Sequence, residues 1–156
     1  MRMRTAVTIL AALGAVLVDA PGLPAQEPRV RLENAWARRA PMMAGDGQAG
    51  GKTERGNGAV YVTVVNRGKA ADSVVAAATD AADKVELHET YNMSGMMMMR
   101  PLPKFDVPAG GKLEMKPGSY HLMLFGLRRD LEPGDTVKVT LTLEKAGALS
   151  VDARVR

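Results

Sequence analysis

The 156 residues contain no cysteine. That removes a disulfide scaffold, a thiolate zinc or iron–sulfur site, a catalytic thiol and a lipidated N-terminal cysteine. Aromatic residues are scarce at 4%. The longest basic runs are the pairs Arg38-Arg39 and Arg128-Arg129. A net charge of +4 spread so thinly, with no aromatics interleaved to stack bases, offers no nucleic-acid face. No serine sits in a word that pairs it with histidine and a carboxylate, so an enzyme is not expected. The longest uncharged, mostly apolar run, Ala6 to Val18, has 13 residues, too few to cross a bilayer. Hydrophobic residues at 46% and charged residues at 24% are ordinary for a folded domain and exclude disorder.

Methionine, by contrast, occurs eleven times. Sixteen glycines and nine prolines favour turns over long helices. Residues 1–25 read as a secretory signal peptide. Arg2 and Arg4 precede the apolar run, and Asp19 to Gln26 follows it, with Leu23 and Ala25 at the two positions before a cleavage point. Cleavage would remove Arg2, Arg4 and Asp19 and lower the net charge from +4 to +3. Residues 26–156 would then form one exported domain, free of the membrane.

Within that domain several segments alternate with period two, as half-buried strands do. Val60, Val62 and Val64 alternate with Tyr61 and Thr63; Val137, Val139, Leu141 and Leu143 alternate with Lys138, Thr140 and Thr142; and Leu149 to Val155 continues the pattern. Shorter candidates are Val30–Trp36, Ser73–Ala77, Lys84–Glu89, Lys112–Met115 and Ser119–Phe125. Turn words such as Lys116-Pro117-Gly118 and Glu132-Pro133-Gly134-Asp135 separate them. About eight short antiparallel strands imply a sandwich or barrel. The alanine-rich stretch 75–82 suggests a helical turn. Residues 41–57, with five glycines and with Met42 and Met43, read as a flexible surface loop.

Both histidines lie near methionine. His88 precedes Met99, and His121 and Met123 are two residues apart. With Val85 and Leu87 facing the core, Glu86 and His88 face away from it; with Leu122 and Leu124 inward, His121 and Met123 share the opposite face. On this reading His121→Ala spares the core. Thioethers and imidazoles together, without thiolate or added charge, suit Cu(I) and not zinc, calcium or an electron-transferring blue-copper centre. The plain alternative is solvated surface histidines with methionines as filler, Met96 to Met99 being a flexible, oxidisable loop and Glu86 and Glu89 a solvated strand edge.

The spacing His88–x10–Met99–x21–His121–x–Met123 resembles the signature of the PCu(A)C-type periplasmic copper chaperones. Neighbouring words match too: Lys84 to Thr90, Met99-Arg100-Pro101, Val107 to Gly111 and Lys116 to Leu124, with Ala35 to Arg38 and Gly58 to Tyr61 upstream and Gly134-Asp135-Thr136 downstream. The resemblance implies a cupredoxin-like Greek-key β-barrel or sandwich and one Cu(I) per chain, held by His88, Met99, His121 and Met123. It further implies a monomeric periplasmic metallochaperone whose recipients are cytochrome oxidase copper-site domains or their assembly factors. A copper-buffering or resistance protein, or a metal-free β-sandwich interaction module, are the other readings. Three features depart from the family pattern: the long glycine-rich loop with Met42 and Met43, the crowding of Met99 by Met96, Met97 and Met98, and an end at Arg156 without a His- and Met-rich tail.

Overall fold

The computed structural model describes residues 29–40 and 55–156; the leader and residues 41–54 of the glycine-rich segment, Met42 and Met43 included, lie outside them. The described chain is all-β. Its ten strands are β1 (Val30–Ala37), β2 (Gly58–Asn66), β3 (Asp72–Thr79), β4 (Ala82–Met93), β5 (Met96–Pro101), β6 (Phe105–Val107), β7 (Lys112–Glu114), β8 (Tyr120–Leu127), β9 (Thr136–Leu143) and β10 (Gly147–Val155). They form one sheet in the order β5-β4-β8-β2-β1-β10-β9-β3-β6, with β7 also paired to β2. The β1–β10 pair is parallel. The order is not sequential: β8 inserts between β4 and β2, which brings the two histidine-bearing strands side by side.

One core follows from the alternation. Val60, Val62 and Val64 of β2, Leu122 and Leu124 of β8, and Val137, Val139 and Leu141 of β9 are fully buried together with Val74, Phe105 and Leu131. β-branched side chains fit the pleated surface, and each large aliphatic residue taken fully out of water contributes about 1.5–3 kcal/mol. At the far end of the sheet the Asp72 carboxylate accepts hydrogen bonds from the backbone N–H groups of Ser73, Lys145 and Ala146 at 2.8–2.9 Å, which ties the β9–β10 turn to β3.

Two expectations are corrected. The alanine-rich stretch does not make a helical turn. β3 runs on to Thr79, pairing with β9 across a bulge between Val74 and Ala76, so the ladder takes up the backbone groups a helix would have paired internally. The methionine run is not a loop either. Ser94 and Gly95 have φ of 54° and 88°, a two-residue turn whose twist suits a hairpin, and the turn folds Met96 to Pro101 back on β4 as an edge strand.

Gly126 is also left-handed, with φ 67°, and a Cβ there would sit 2.8 Å from Oδ2 of Asp83, a carboxylate already held by Arg55 and Arg128. Gly95, by contrast, is surrounded by open space. Gly95→Ala is expected to cost the about 1–2 kcal/mol of a left-handed alanine, and Gly126→Ala measurably more. Equal losses in chemical denaturation would mean that Asp83 yields without cost.

Candidate metal centre

The β4–β8 ladder sets His88 directly opposite His121, Glu86 opposite Met123 and Leu87 opposite Leu122. Directly paired residues share a face, so the parity read from the sequence holds: the leucines enter the core and the histidines leave it. The outer face, however, is not bare. His88 is 9% exposed and His121 only 4%, because a second layer of rings covers them. Trp36 of β1 stacks on Tyr61 of β2 at 4.4 Å between centroids, Tyr61 lies 6.3 Å from His121, His121 5.8 Å from His88, and His88 5.8 Å from Phe125. Arg156 caps the outer end of this row over Trp36. His121→Ala thus spares the leucine core, but the ring is part of a packed outer layer and its loss removes contacts on both sides.

Hydrogen bonds then decide which ring nitrogens are free. His88 Nε2 lies 2.8 Å from Glu86 Oε2. A carboxylate only accepts, so Nε2 carries the proton and Nδ1 the lone pair. That Nδ1 is buried and has no hydrogen-bond partner. His121 Nδ1 lies 3.1 Å from the Ser119 carbonyl oxygen, so it donates and leaves the Nε2 lone pair available. A histidine that ligates a metal ordinarily gives its other N–H to a carboxylate or backbone carbonyl, which fixes tautomer and orientation. Both rings have that arrangement. An unpartnered buried nitrogen, costly in itself, is the atom an incoming cation would satisfy.

A cavity of about 500 Å³ opens on the other side of His121. His121, Met123, Met99, Met97 and Tyr61 line it, with Arg38 and Arg39 at its rim. Of the four residues singled out from the sequence, His121, Met99 and Met123 share this wall; His88 stands behind, in ring contact with His121. Met99 pairs with Thr90 and Met97 with Asn92, on the face of the hairpin that also carries His88. Met97 thus joins Met99 as a lining residue. The hairpin register is pinned by Arg100, which binds Glu89 Oε2 through Nε and Nη2 and covers Tyr91. A two-residue slide of Met97 into the place of Met99 would break these contacts.

The surroundings keep His121 neutral. Burial holds His121 below the ordinary imidazole range, partly offset by the Ser119 bond and reinforced by His88. Tyr61 is pushed up by burial against a smaller opposing pull from Arg38, so its phenol stays protonated. The bond from His88, then that from Lys84, holds Glu86 below the usual carboxylate range. Glu86 is therefore not a solvated edge residue but the partner that orients His88. The signal for it was present, since Glu86 and His88 are two apart on one strand face. Among the described residues no group of three or more His, Cys, Asp or Glu could hold a metal ion. What the site offers an ion is imidazole and thioether.

Comparison with known proteins agrees with this picture. The LpqE-like family model matches residues 30–155. A protein of Leifsonia xyli subsp. xyli, named as a lipoprotein, is 32% identical over 99% of this chain and 90% of its own length; the 156 residues here have no cysteine to carry such a lipid. The copper-bound PCuAC domain from PmoF2 superposes with a TM-score of 0.59 at 20% identity, over 82% of this chain and 92% of that one. The Cu(I) form of DR1885 from Deinococcus radiodurans, in solution, does so at 0.55 and 30% identity, over 78% and 76%. The cupredoxin-like all-β fold expected from the sequence is the fold observed.

The His121 environment sets a pH dependence. Near pH 7 the imidazole is neutral in the folded and unfolded chains alike. As pH falls, the unfolded imidazole, near 6.5, takes up its proton before the folded one does, so stability drops and stops dropping once folded His121 is also protonated. Metal-free protein is expected to lose stability between pH 7 and 5, and the loss should be shallower in His121→Asn. Parallel profiles in urea denaturation would refute this. The Glu86 contribution is lost separately, as pH falls below the ordinary carboxylate range through its depressed folded pKa.

Proposed function

The chain belongs to the LpqE-like family, of PCu(A)C type, and on that premise we propose that it is an exported Cu(I) metallochaperone. One Cu(I) per chain is bound by His88, Met99, His121 and Met123 and handed to copper-accepting proteins of the periplasm, cytochrome oxidase copper-site domains or their assembly factors foremost. Residues 1–25 direct export and are removed, and residues 26–156 act as a monomer without covalent chemistry. The observation that carries this reading is the pair of facing imidazoles, each with one N–H tied down, by Glu86 and by Ser119, and each with one lone pair left over.

The donor chemistry supports a carrier over a redox centre. Two imidazoles and two thioethers bring no charge, so the ion keeps its single positive charge and the cuprous state is favoured. Thioethers are weak donors, so a recipient offering thiolates draws the ion away by ligand exchange. Arg38 and Arg39 at the rim suit a recipient with an acidic face.

If Glu86 orients His88, Glu86→Gln should weaken Cu(I) binding about 10–100-fold without unfolding the chain, as read by competition with a chromophoric chelator. In the same assay Ag(I) should displace Cu(I) and Zn(II) should not. Unchanged Cu(I) affinity in Glu86→Gln, or zinc binding as tight as copper, would overturn the ligand assignment.

Delivery is tested by mixing Cu(I)-loaded mature protein with an apo oxidase copper-site domain, separating the two and measuring copper in each. Transfer of the single equivalent is expected. Retention against excess recipient would mark a buffering protein, and failure to hold Cu(I) against the chelator a metal-free interaction module.

A further inference from the structure

The β4–β5 hairpin has two faces, and the cavity uses only one. Thr90, Asn92, Met97 and Met99 lie on the cavity side. The reverse side carries Tyr91, Met93, Met96 and Met98, and its methionines are 55%, 64% and 41% exposed in chain order. Isolated exposed methionines need no explanation; three on one face of one short ribbon do. We propose that Met93, Met96 and Met98 form a second site for a soft monovalent cation, Cu(I) or Ag(I), back to back with the first.

Register makes the case. Met93 and Met96 are a directly opposed pair, with Cβ atoms about 4.5–5.5 Å apart. Met98 is the next residue of β5 on that face, about 6.6–6.8 Å along the strand from Met96. The three side chains therefore form a small triangle, and each has three rotatable bonds with which to turn its sulfur inward. The Ser94–Gly95 turn fixes the triangle, helped by Asn92, whose Oδ1 accepts from Gly95 N–H at 2.9 Å.

The surroundings select the ion. The charged residues of this face, Glu89 and Arg100, are bound to each other at 2.8 and 3.0 Å, and the guanidinium also covers Tyr91. The Glu89 carboxylate is thus engaged, and no imidazole shares the face. Three thioethers alone are a donor set that Zn(II), Ca(II) and Mg(II) decline and Cu(I) or Ag(I) accept. Without imidazole and exposed to water, the site should bind more weakly than the first and exchange its ion faster.

The test uses Ag(I), which is soft and does not change oxidation state under these conditions. The mature protein is titrated with Ag(I), bound silver is counted by native mass spectrometry, and the methionine methyl groups are followed by NMR. Two equivalents should bind, the later one shifting the methyl signals of Met93, Met96 and Met98 together. The double variant Met96→Leu/Met98→Leu should lose the later equivalent and keep the earlier, which also reports that it is folded. His121→Ala should do the reverse. Only one equivalent at saturation, the outcome expected if this face instead packs against a protein partner, would overturn the proposal, as would a second equivalent that survives in the double variant. If His121→Ala keeps both equivalents, the assignment of the first site fails while this one stands.

Discussion

The His88–His121 cross-strand pair is the constraint on which the rest of the outer face depends. Because β4 and β8 run antiparallel and adjacent, the two imidazoles are direct neighbours on the side of the sheet away from the core. A one-residue slip of either strand would send that strand's histidine inward and its leucine outward. The register is thus held by the hydrophobic core: two leucines that must be buried hold two histidines in place. Non-sequential strand order is what allows this, since β8 reaches β4 only by inserting between β4 and β2.

A site held by the core in this way still has to keep its rings from wandering, and the second layer does that. Trp36, Tyr61 and Phe125 flank the imidazoles, and ring pairs of this kind contribute about 0.5–1.5 kcal/mol each beyond their buried area. The contribution opposes a cost of about 1–3 kcal/mol for the unpartnered His88 nitrogen. The imidazole pair is therefore kept in place at a cost in stability, which an ion bound only by the folded chain would relieve. Neutral surroundings matter for the same reason. A protonated His121 would present a charge where a lone pair is needed.

Much of this was legible in the sequence, and the exceptions have two causes. Period-two alternation gave the strands of the core, and parity gave the outward face of His88, His121 and Met123. The spacing pointed to Met99. Among the described residues, the alanine-rich stretch and the methionine run are strands although their sequences have no alternation. Met96 to Met99 are uniformly apolar, so nothing in them separates a loop from a strand; the strand is dictated by Ser94-Gly95 and by the partner β4. The burial of the histidines is not legible in the sequence because it depends on Trp36 and Tyr61, which are adjacent in the register of β1 and β2 but distant in sequence from either histidine. Glu86 is visible in the sequence as a neighbour two residues away, but its role is not, because nothing local shows that the face it shares with His88 is covered.

One asymmetry described above has a temporal meaning. His121 and His88 are buried and anchored through second nitrogens, Met123 is half-buried on the same strand pair, and Met99 is 60% exposed on an edge strand. For an ion held among these four, water and an approaching ligand reach the donors in that order reversed. The sulfur on the hairpin is the first bond open to attack and the two imidazole nitrogens the last. Burial alone thus writes a sequence into the departure: the ion would swing outward from the sheet, still tethered by imidazole, before it lets go. A sheet that released such an ion in one direction would need no moving part for this, only donors graded from wet to dry.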